Sequence, residues 1–374
     1  MRSFRHAAAE RRLAEAVVVR LTYSDGYVGW GETLPREYVT GETYESVVED
    51  LAEHIWPQCL AEGLLEPSEH PREIPCTGGG RRFNAAAAAL DIASLRRVFH
   101  DIHAISPDVL QTIAGRPRLR NFIDARVSGV LGNGDPGKTT CRLRLMKLGE
   151  MHDYKLKLGL GEQLDHEHLQ IVYRKLGRWI RKGIATLRVD INGAWDEEST
   201  PERVAQLKEF GVCCIEQPVF CSASKFVELA QRCELPLMAD ESLLTERHAK
   251  TLLAEPEKIW WNLRISKNGG MLPTLKLMQL AQKHDVTFTL GCMVGESAIL
   301  AAAQRRLLQM GPPPRFVEGN FGRWLLTDDL LAGRRSLRPG LQGKLKILSA
   351  DGLGIDVSEA KIKKYGQLVR TLKA

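Results

Sequence analysis

From about Phe122 to about Val317 the chain repeats one pattern, a short apolar run followed by a stretch able to hold a helix. The candidate strands are Ile123–Val130, Asp153–Leu158, Thr186–Ile191, Val212–Ile215, Pro236–Ala239, Ile259–Ile265, Val286–Leu290 and Arg315–Val317. Strands that alternate with helices form parallel βαβ units, and eight such units close into a barrel more readily than they spread into an open sheet. This alternation limits the rest of the chain to what can be added around a barrel.

At 374 residues the chain exceeds the size at which one core stops growing, so a second, smaller unit is expected. Residues 1–122 supply it. Ala16–Thr22 and Tyr27–Glu32 read as a hairpin about Ser24-Asp25-Gly26, and helical periodicity follows Thr43, with Val47, Val48, Leu51 and Ile55 before Pro57. The segment Thr77–Arg82 lacks the Gly-Lys-Ser/Thr ending of a phosphate loop and reads as a flexible loop. Asn84 is placed to cap a helix whose Ala85–Ala89 run permits close packing. The glycine-containing tail, 333–374, reads as loops and short strands returning to this first unit. The expected fold is therefore α/β: a (β/α)8 TIM-type barrel over 123–332, with an α+β N-terminal capping domain over 1–122 completed by the C-terminal segment.

Composition narrows the function classes. The formal charge is +6, from 52 Lys and Arg against 46 Asp and Glu, and basic pairs such as Arg11-Arg12 and Arg81-Arg82 are dispersed. Such a surface has no nucleic-acid footprint and suits anionic metabolites. The eight cysteines include no CxxC pair, which argues against a zinc cage or a disulfide framework. No apolar run is long enough to span a bilayer, and Met1 to Glu15 has no apolar signal-peptide core. The expectation is a protein of the reducing cytoplasm that does not engage membranes.

Polar residues recur at the carboxyl ends of successive candidate strands, where a barrel places its active site. They are Lys155 and Lys157, Asp190 and Asn192, Glu216, Asp240 and Glu241, Lys267, and Glu296. The steps from Lys157 onward are 33, 26, 24, 27 and 29 residues, each about one βα unit. Three carboxylates converging from neighbouring strands require a raised pKa or a cation. With oxygen donors and no nearby His or Cys, a hard ion such as Mg2+ is the best match. A lysine base must lose a proton that free lysine holds to about pH 10.4. Lys155 lies two residues from Lys157 and so on the same strand face, where it either depresses the Lys157 pKa or binds a substrate carboxylate oxygen. Lys267 arrives from across the barrel, toward the opposite face of a bound substrate.

At these residues the chain resembles the enolase superfamily, in particular its muconate-lactonising subgroup. The matching pieces are Tyr154-Lys155-Leu156-Lys157-Leu158-Gly159, Val189-Asp190-Ile191-Asn192-Gly193, Ile215-Glu216-Gln217-Pro218, Met238-Ala239-Asp240-Glu241-Ser242 and Ile265-Ser266-Lys267-Asn268-Gly269-Gly270. Gly29-Trp30-Gly31-Glu32, Asn84 to Leu95 and Gly352-Leu353-Gly354-Ile355 extend the resemblance over nearly the whole chain. It implies Asp190, Glu216 and Asp240 as ligands of Mg2+, with Mn2+ as a substitute, and Lys157 and Lys267 as an acid/base pair. It also implies Lys155, Glu296 and Tyr38 as substrate contacts, Tyr38 from a loop, Pro35–Glu42, that reaches over the barrel mouth. Superfamily sites abstract the proton α to a carboxylate through an enediolate. The expected activity is that of a racemase or epimerase of an amino-acid or peptide derivative. A muconate-type cycloisomerase and a dehydrating lyase resembling o-succinylbenzoate synthase are the alternatives. Outside enzymes the alternative is a catalytically silent binding protein. The expected partner is a small carboxylate-bearing molecule, and a homo-oligomer is compatible with the reading. Two departures stand out: Glu318-Gly319-Asn320 replaces the Asp-x-Asp run of ammonium-binding relatives, and Arg264 stands where the subgroup often has lysine.

Overall fold

The structure, a computed structural model, describes residues 4–6, 9–11, 13–66, 71–78, 80–95, 120, 122–132, 134–333, 337–348 and 352–374. Gly79, within the Thr77–Arg82 segment, and residues 96–119 of the expected capping unit lie outside the described residues.

Eight strands form one parallel sheet in chain order: β1 (Gly129–Leu131), β2 (Asp153–Lys157), β3 (Thr186–Asp190), β4 (Val212–Glu216), β5 (Leu237–Ala239), β6 (Ile259–Leu263), β7 (Phe288–Leu290) and β8 (Phe316–Val317). The sheet closes where Val127 pairs in parallel with Val317 and the Ser128 amide donates to the Val317 carbonyl at 2.7 Å. The fold is thus a TIM-type barrel with an N-terminal cap. Its helices show why they pack on it: in Glu162–Arg181, buried His168, Leu169, Val172 and Leu176 recur at helical spacing and face the sheet.

The first strand is shorter than the expected Ile123–Val130. Arg126 leaves the barrel to pair antiparallel with Lys344, and the Val127 amide donates to Gly343 at 2.9 Å. Gly343 has φ 69, and a Cβ there would lie 2.5 Å from the Val127 carbonyl oxygen, so this junction of tail and barrel requires glycine. The tail also reaches the cap, through Arg20–Glu359 at 3.1 Å, Arg370–Glu53 at 2.7 Å and the Trp56 indole donating to the Lys373 carbonyl.

In the cap, Val17–Thr22 and Val28–Thr33 pair as the expected antiparallel hairpin. The helix after Thr43 opens with a Thr43/Ser46 capping box and continues past Pro57 through a π-helical turn, Leu51–Ile55. Thr77–Gly78 and Arg81–Arg82 form a minimal hairpin where a flexible loop was expected. Asn84 does not cap its helix. It is the first residue of Asn84–Ala93, and Glu42 takes the capping role by accepting from the Ala85 and Ala86 amides at 2.8 and 3.0 Å. The Asn84 amide group is thereby free to bind the barrel, donating to the Leu244 and Lys267 carbonyls at 3.0 and 2.7 Å.

The Ala-rich helix lies directly on the hairpin. A Cβ on Gly31 would sit 1.8 Å from the Ala89 carbonyl oxygen, a backbone atom that cannot move aside without disturbing the helix. Gly31→Ala is therefore expected to lower stability by about 2–3 kcal/mol, the upper range for an overpacked core. Urea unfolding followed by circular dichroism measures this. A loss within error of zero would mean that hairpin and helix are not in backbone contact.

Candidate active site

Strand register determines which side chains meet. Lys157 is paired with Asp190 across β2 and β3, and Asp190 with Glu216 across β3 and β4, so one amine and two carboxyl groups sit at one level of the barrel mouth. Asp240 follows β5 by one residue, Arg264 follows β6 by one, and Glu318 follows β8 by one. Lys155 and Arg188 lie two residues before Lys157 and Asp190, and share their inward face.

Lys155 is the hub of this layer. Its Nζ lies 3.0 Å from both Glu216 oxygens, 2.6 Å from Glu318 Oε2 and 3.4 Å from Asp190 Oδ2. Burial favours loss of its proton, but the charges of Glu216, Glu318 and Asp190 outweigh that and hold the ammonium above its usual range. Lys157 Nζ donates to Asp190 Oδ2 and to Asn192 Oδ1, both at 2.8 Å. Asn192 holds this position in a left-handed conformation, φ 48, and its amide donates to Asp190 Oδ1 at 3.1 Å. Burial raises and the Lys157 and Lys155 ammonium groups lower the Asp190 pKa, and the ammonium groups prevail.

Lys267 is held differently. Its Nζ is fully buried and donates to the Asp240 carbonyl at 2.7 Å, to Asp240 Oδ1 at 2.9 Å and to the Asn262 carbonyl at 2.6 Å. Burial, reinforced by the Arg264 charge, pushes its pKa well below the usual lysine range. The Arg264 guanidinium rests against Asp240 and lies 3.5 Å from Glu216 Oε1. Asn262 donates to the same Glu216 oxygen at 2.8 Å.

A cavity of approximately 700 Å3 opens above this layer. Lys155, Lys157, Asn192, Arg264, Glu296 and Tyr38 are among its lining residues. Lys267 is not, so Lys157 faces the cavity while Lys267 lies outside its lining. Tyr38 sits in a short helix, Glu37–Thr40, inside the expected loop. Glu296 Oε1 accepts the Met293 amide at 2.6 Å, and burial pushes its carboxyl up to about 8.

The donor set bears on a hard divalent cation in two ways. As the side chains stand, no three His, Cys, Asp or Glu among the described residues are spaced to hold one metal ion, and Arg264 lies between Glu216 and Asp240. The chemistry nevertheless fits. Asp190, Glu216 and Asp240 present oxygen donors from adjacent strands, and both buried oxygens of Glu241 have no hydrogen-bond partner. Burial, with the Asp190 charge, pushes Glu241 up to about 7, and the Lys267 ammonium offsets this only in part. A cation here requires the Arg264 guanidinium to withdraw.

Sequence reasoning missed Arg188, Asn262 and the use made of Glu318. Arg188 donates to Glu318 Oε1 and to Ser128 Oγ, both at 2.9 Å, and stacks 4.1 Å over Phe316. The signal was available: Arg188 and Asn262 stand two residues before Asp190 and Arg264, on the same inward face of their strands. Asn320 is also engaged, accepting from Arg305 and donating to Gln304, both at 2.7 Å.

Residues 143–361 match the enolase C-terminal domain-like family. Among curated relatives, the N-succinyl-L-Arg/Lys racemase of Bacillus cereus is 26% identical over 77% of this chain and 74% of its own length. Its crystal structure superposes with a TM-score of 0.77 at 22% identity, covering 98% of this chain and 95% of that one. Muconate cycloisomerase 1 of Acinetobacter baylyi is 26% identical over 93% of this chain and 90% of its own. A dipeptide epimerase of Methylococcus capsulatus, solved with a Mg ion, has a TM-score of 0.69 at 24% identity, covering 95% of this chain and 96% of that one. The family match spans more than half of the chain and covers the strand ends described above. The chain belongs to the enolase superfamily, in the muconate-lactonising subgroup, whose members named here are isomerases.

Proposed function

We propose that this protein is a Mg2+-dependent racemase or epimerase that moves the proton α to the carboxylate of an N-acylated amino acid or peptide derivative. The observation that carries the proposal is Lys157, which lines the cavity and whose Nζ donates to Asp190 and Asn192. Asp190, Glu216 and Asp240 would hold the ion, with Mn2+ as a substitute. When bound, it supplies positive charge beside the substrate carboxylate. Lys157 takes the α-proton on its Nζ. Lys155, kept cationic by three carboxylates, adds a fixed charge to the same wall. Glu318 and Asn320 are committed to Lys155, Arg188, Arg305 and Gln304, so the eighth strand has no free pair of carboxylates to receive an ammonium group. An acylated nitrogen suits that wall.

One observation favours a second reading. Lys267 is fully buried and does not line the cavity, which suits chemistry on one face only: a cycloisomerase, or a dehydrating lyase. Solvent-deuterium exchange at the α-carbon, followed by NMR from each stereoisomer of an N-acyl amino-acid panel, separates the readings. Racemase chemistry predicts exchange from both, with Lys157→Met and Lys267→Met each suppressing one direction by about 10²–10⁴-fold. Exchange from one stereoisomer only, with water loss or ring closure, would establish the second reading. Absence of exchange across the panel overturns both.

Mg2+ binding has its own readout. Millimolar Mg2+ is expected to raise the melting temperature of the EDTA-treated protein, since a ligand that binds only the folded state stabilises it. Asp190→Asn should remove the shift. An unchanged shift in that variant would place the ion elsewhere.

Glu296 sets a pH dependence. Its carboxyl titrates at about 8 when folded against 4.5 ordinarily, so the folded chain binds the extra proton between those values. The stabilisation is complete below the lower value, declines as pH rises and is gone above the higher one. Glu296→Gln is therefore expected to make the melting temperature fall less steeply between about pH 5 and about pH 8. Equal slopes would show that Glu296 is ionised throughout.

A further inference from the structure

Two carboxyl groups line the cavity. Glu318 is paired with Lys155 and Arg188, whereas Glu296 makes no ion pair among the described residues. The charged groups near Glu296 are all committed elsewhere. Arg36, from the cap, directs its guanidinium at the Glu15, Pro35 and Val294 carbonyls. Arg264, after β6, rests on Asp240 and Glu216. Glu32, from the cap hairpin, accepts from Ser297 and Leu300 and adds negative charge. Cys292, on the same loop as Glu296, is held as a neutral thiol by burial.

Glu296 therefore faces the cavity without a counter-charge. Burial, helped by Glu32, outweighs the Met293 amide and the two guanidinium groups and pushes the carboxyl up to about 8. The hydrogen bonds then place the proton. Oε1 accepts the Met293 amide at 2.6 Å, which leaves Oε2 to carry the hydrogen. Oε2 has no partner among the described residues, yet it is not sealed in as the Glu241 oxygens are. Lys155, Lys157 and Arg264 on the same wall are cations and suit a carboxylate. A neutral O–H can serve an oxygen that carries no charge. It follows β7, three strands around the closed barrel from Lys157, so that oxygen lies away from the proton-transfer end.

We propose that Glu296 is a specificity-determining residue that donates, as a carboxylic acid, from Oε2 to an uncharged carbonyl oxygen of the substrate outside the reacting carboxylate. For an acylated substrate that oxygen is the acyl carbonyl, and the inference rests on the proposed function for this identity alone. The same group makes affinity depend on pH. While protonated it offers a hydrogen; once ionised it offers none and sets a negative charge before an anionic substrate.

N-acetyl and N-thioacetyl forms of the same L-amino acids test this, since they differ in one atom and sulfur is the weaker acceptor. Binding is read by calorimetry in Mg2+ from about pH 6 to about pH 9, and α-deuterium exchange by NMR on the same samples, for the wild type, Glu296→Gln and Glu296→Met. At pH 7 the wild type is expected to prefer the oxygen form by about three- to tenfold, as for one neutral hydrogen bond. Above about pH 8 its affinity should fall by about tenfold per pH unit, and the preference should vanish. Glu296→Gln, a permanent donor, should keep the preference at every pH without that fall, and Glu296→Met should lack it throughout. If circular dichroism shows Glu296→Met unfolded, the pH profile of Glu296→Gln decides alone. A wild type without the preference, a Met variant that keeps it, a Gln variant that falls as steeply as the wild type, or binding of neither form overturns the inference. Exchange without the preference removes this role from Glu296 and leaves the proton-transfer reading standing. The preference with its pH profile, but without exchange, does the reverse.

Discussion

The barrel mouth is organised by the pairing of buried charges around Lys155. An unpaired ion in this interior would cost several kcal/mol, and removing one member of a buried pair leaves the other uncompensated. Lys155 answers that need for Asp190, Glu216 and Glu318 together, and Arg188 completes Glu318 from the layer below. These charged groups therefore also hold the strand ends together. Lys157 lines the cavity, and its partner Asp190 is held from two further sides, by Lys155 and by the Asn192 backbone amide.

The same rule joins cap to barrel, with helix N-termini as the positive partner. Glu32 of the hairpin accepts from the Ser297 and Leu300 amides at 3.0 and 3.1 Å, at the start of the helix Ala298–Met310. Asp91 of the cap helix accepts from the Met271 amide at 2.6 Å, at the start of Met271–Lys283. A Cβ on Gly270 would lie 2.6 Å from the Asp91 carboxylate, so the second glycine of Asn268-Gly269-Gly270 makes room for this contact. Through Asn84 the cap also holds the Lys267 backbone. Arg36 and Tyr38, at the cavity rim, thus stand on a cap anchored to the barrel helices after β6 and β7.

The barrel was legible because its signal is periodic: apolar runs spaced by helical stretches, each ending in a polar residue. The convergence of Lys155, Lys157, Asp190, Glu216 and Asp240 followed from that spacing alone. What escaped was set by partners distant in sequence. The first strand is cut short by Lys344 and Gly343, more than two hundred residues downstream. Asn84 has the residue type of a cap, but Glu42, brought close only by folding, takes the amides instead. The separation of Lys267 from the cavity was equally invisible, since strand-end spacing places a residue at the mouth without saying which side chain lies in front.

That separation gives the two lysines different electrostatic standing. Lys157 faces the cavity and leans on a carboxylate and an amide oxygen. Lys267 satisfies all three of its donors on Asp240 and Asn262, yet burial and the Arg264 guanidinium favour its neutral form. Arg264 is common to both circumstances. It contributes to the charge that depresses Lys267, and it rests on the carboxylates suited to a cation. Withdrawal of this guanidinium from Glu216 and Asp240 would free two oxygen donors and weaken the positive field on Lys267 in one movement. Arg264 thus couples the charge environment of Lys267 to the carboxylates of Glu216 and Asp240, two neighbours in the same buried layer.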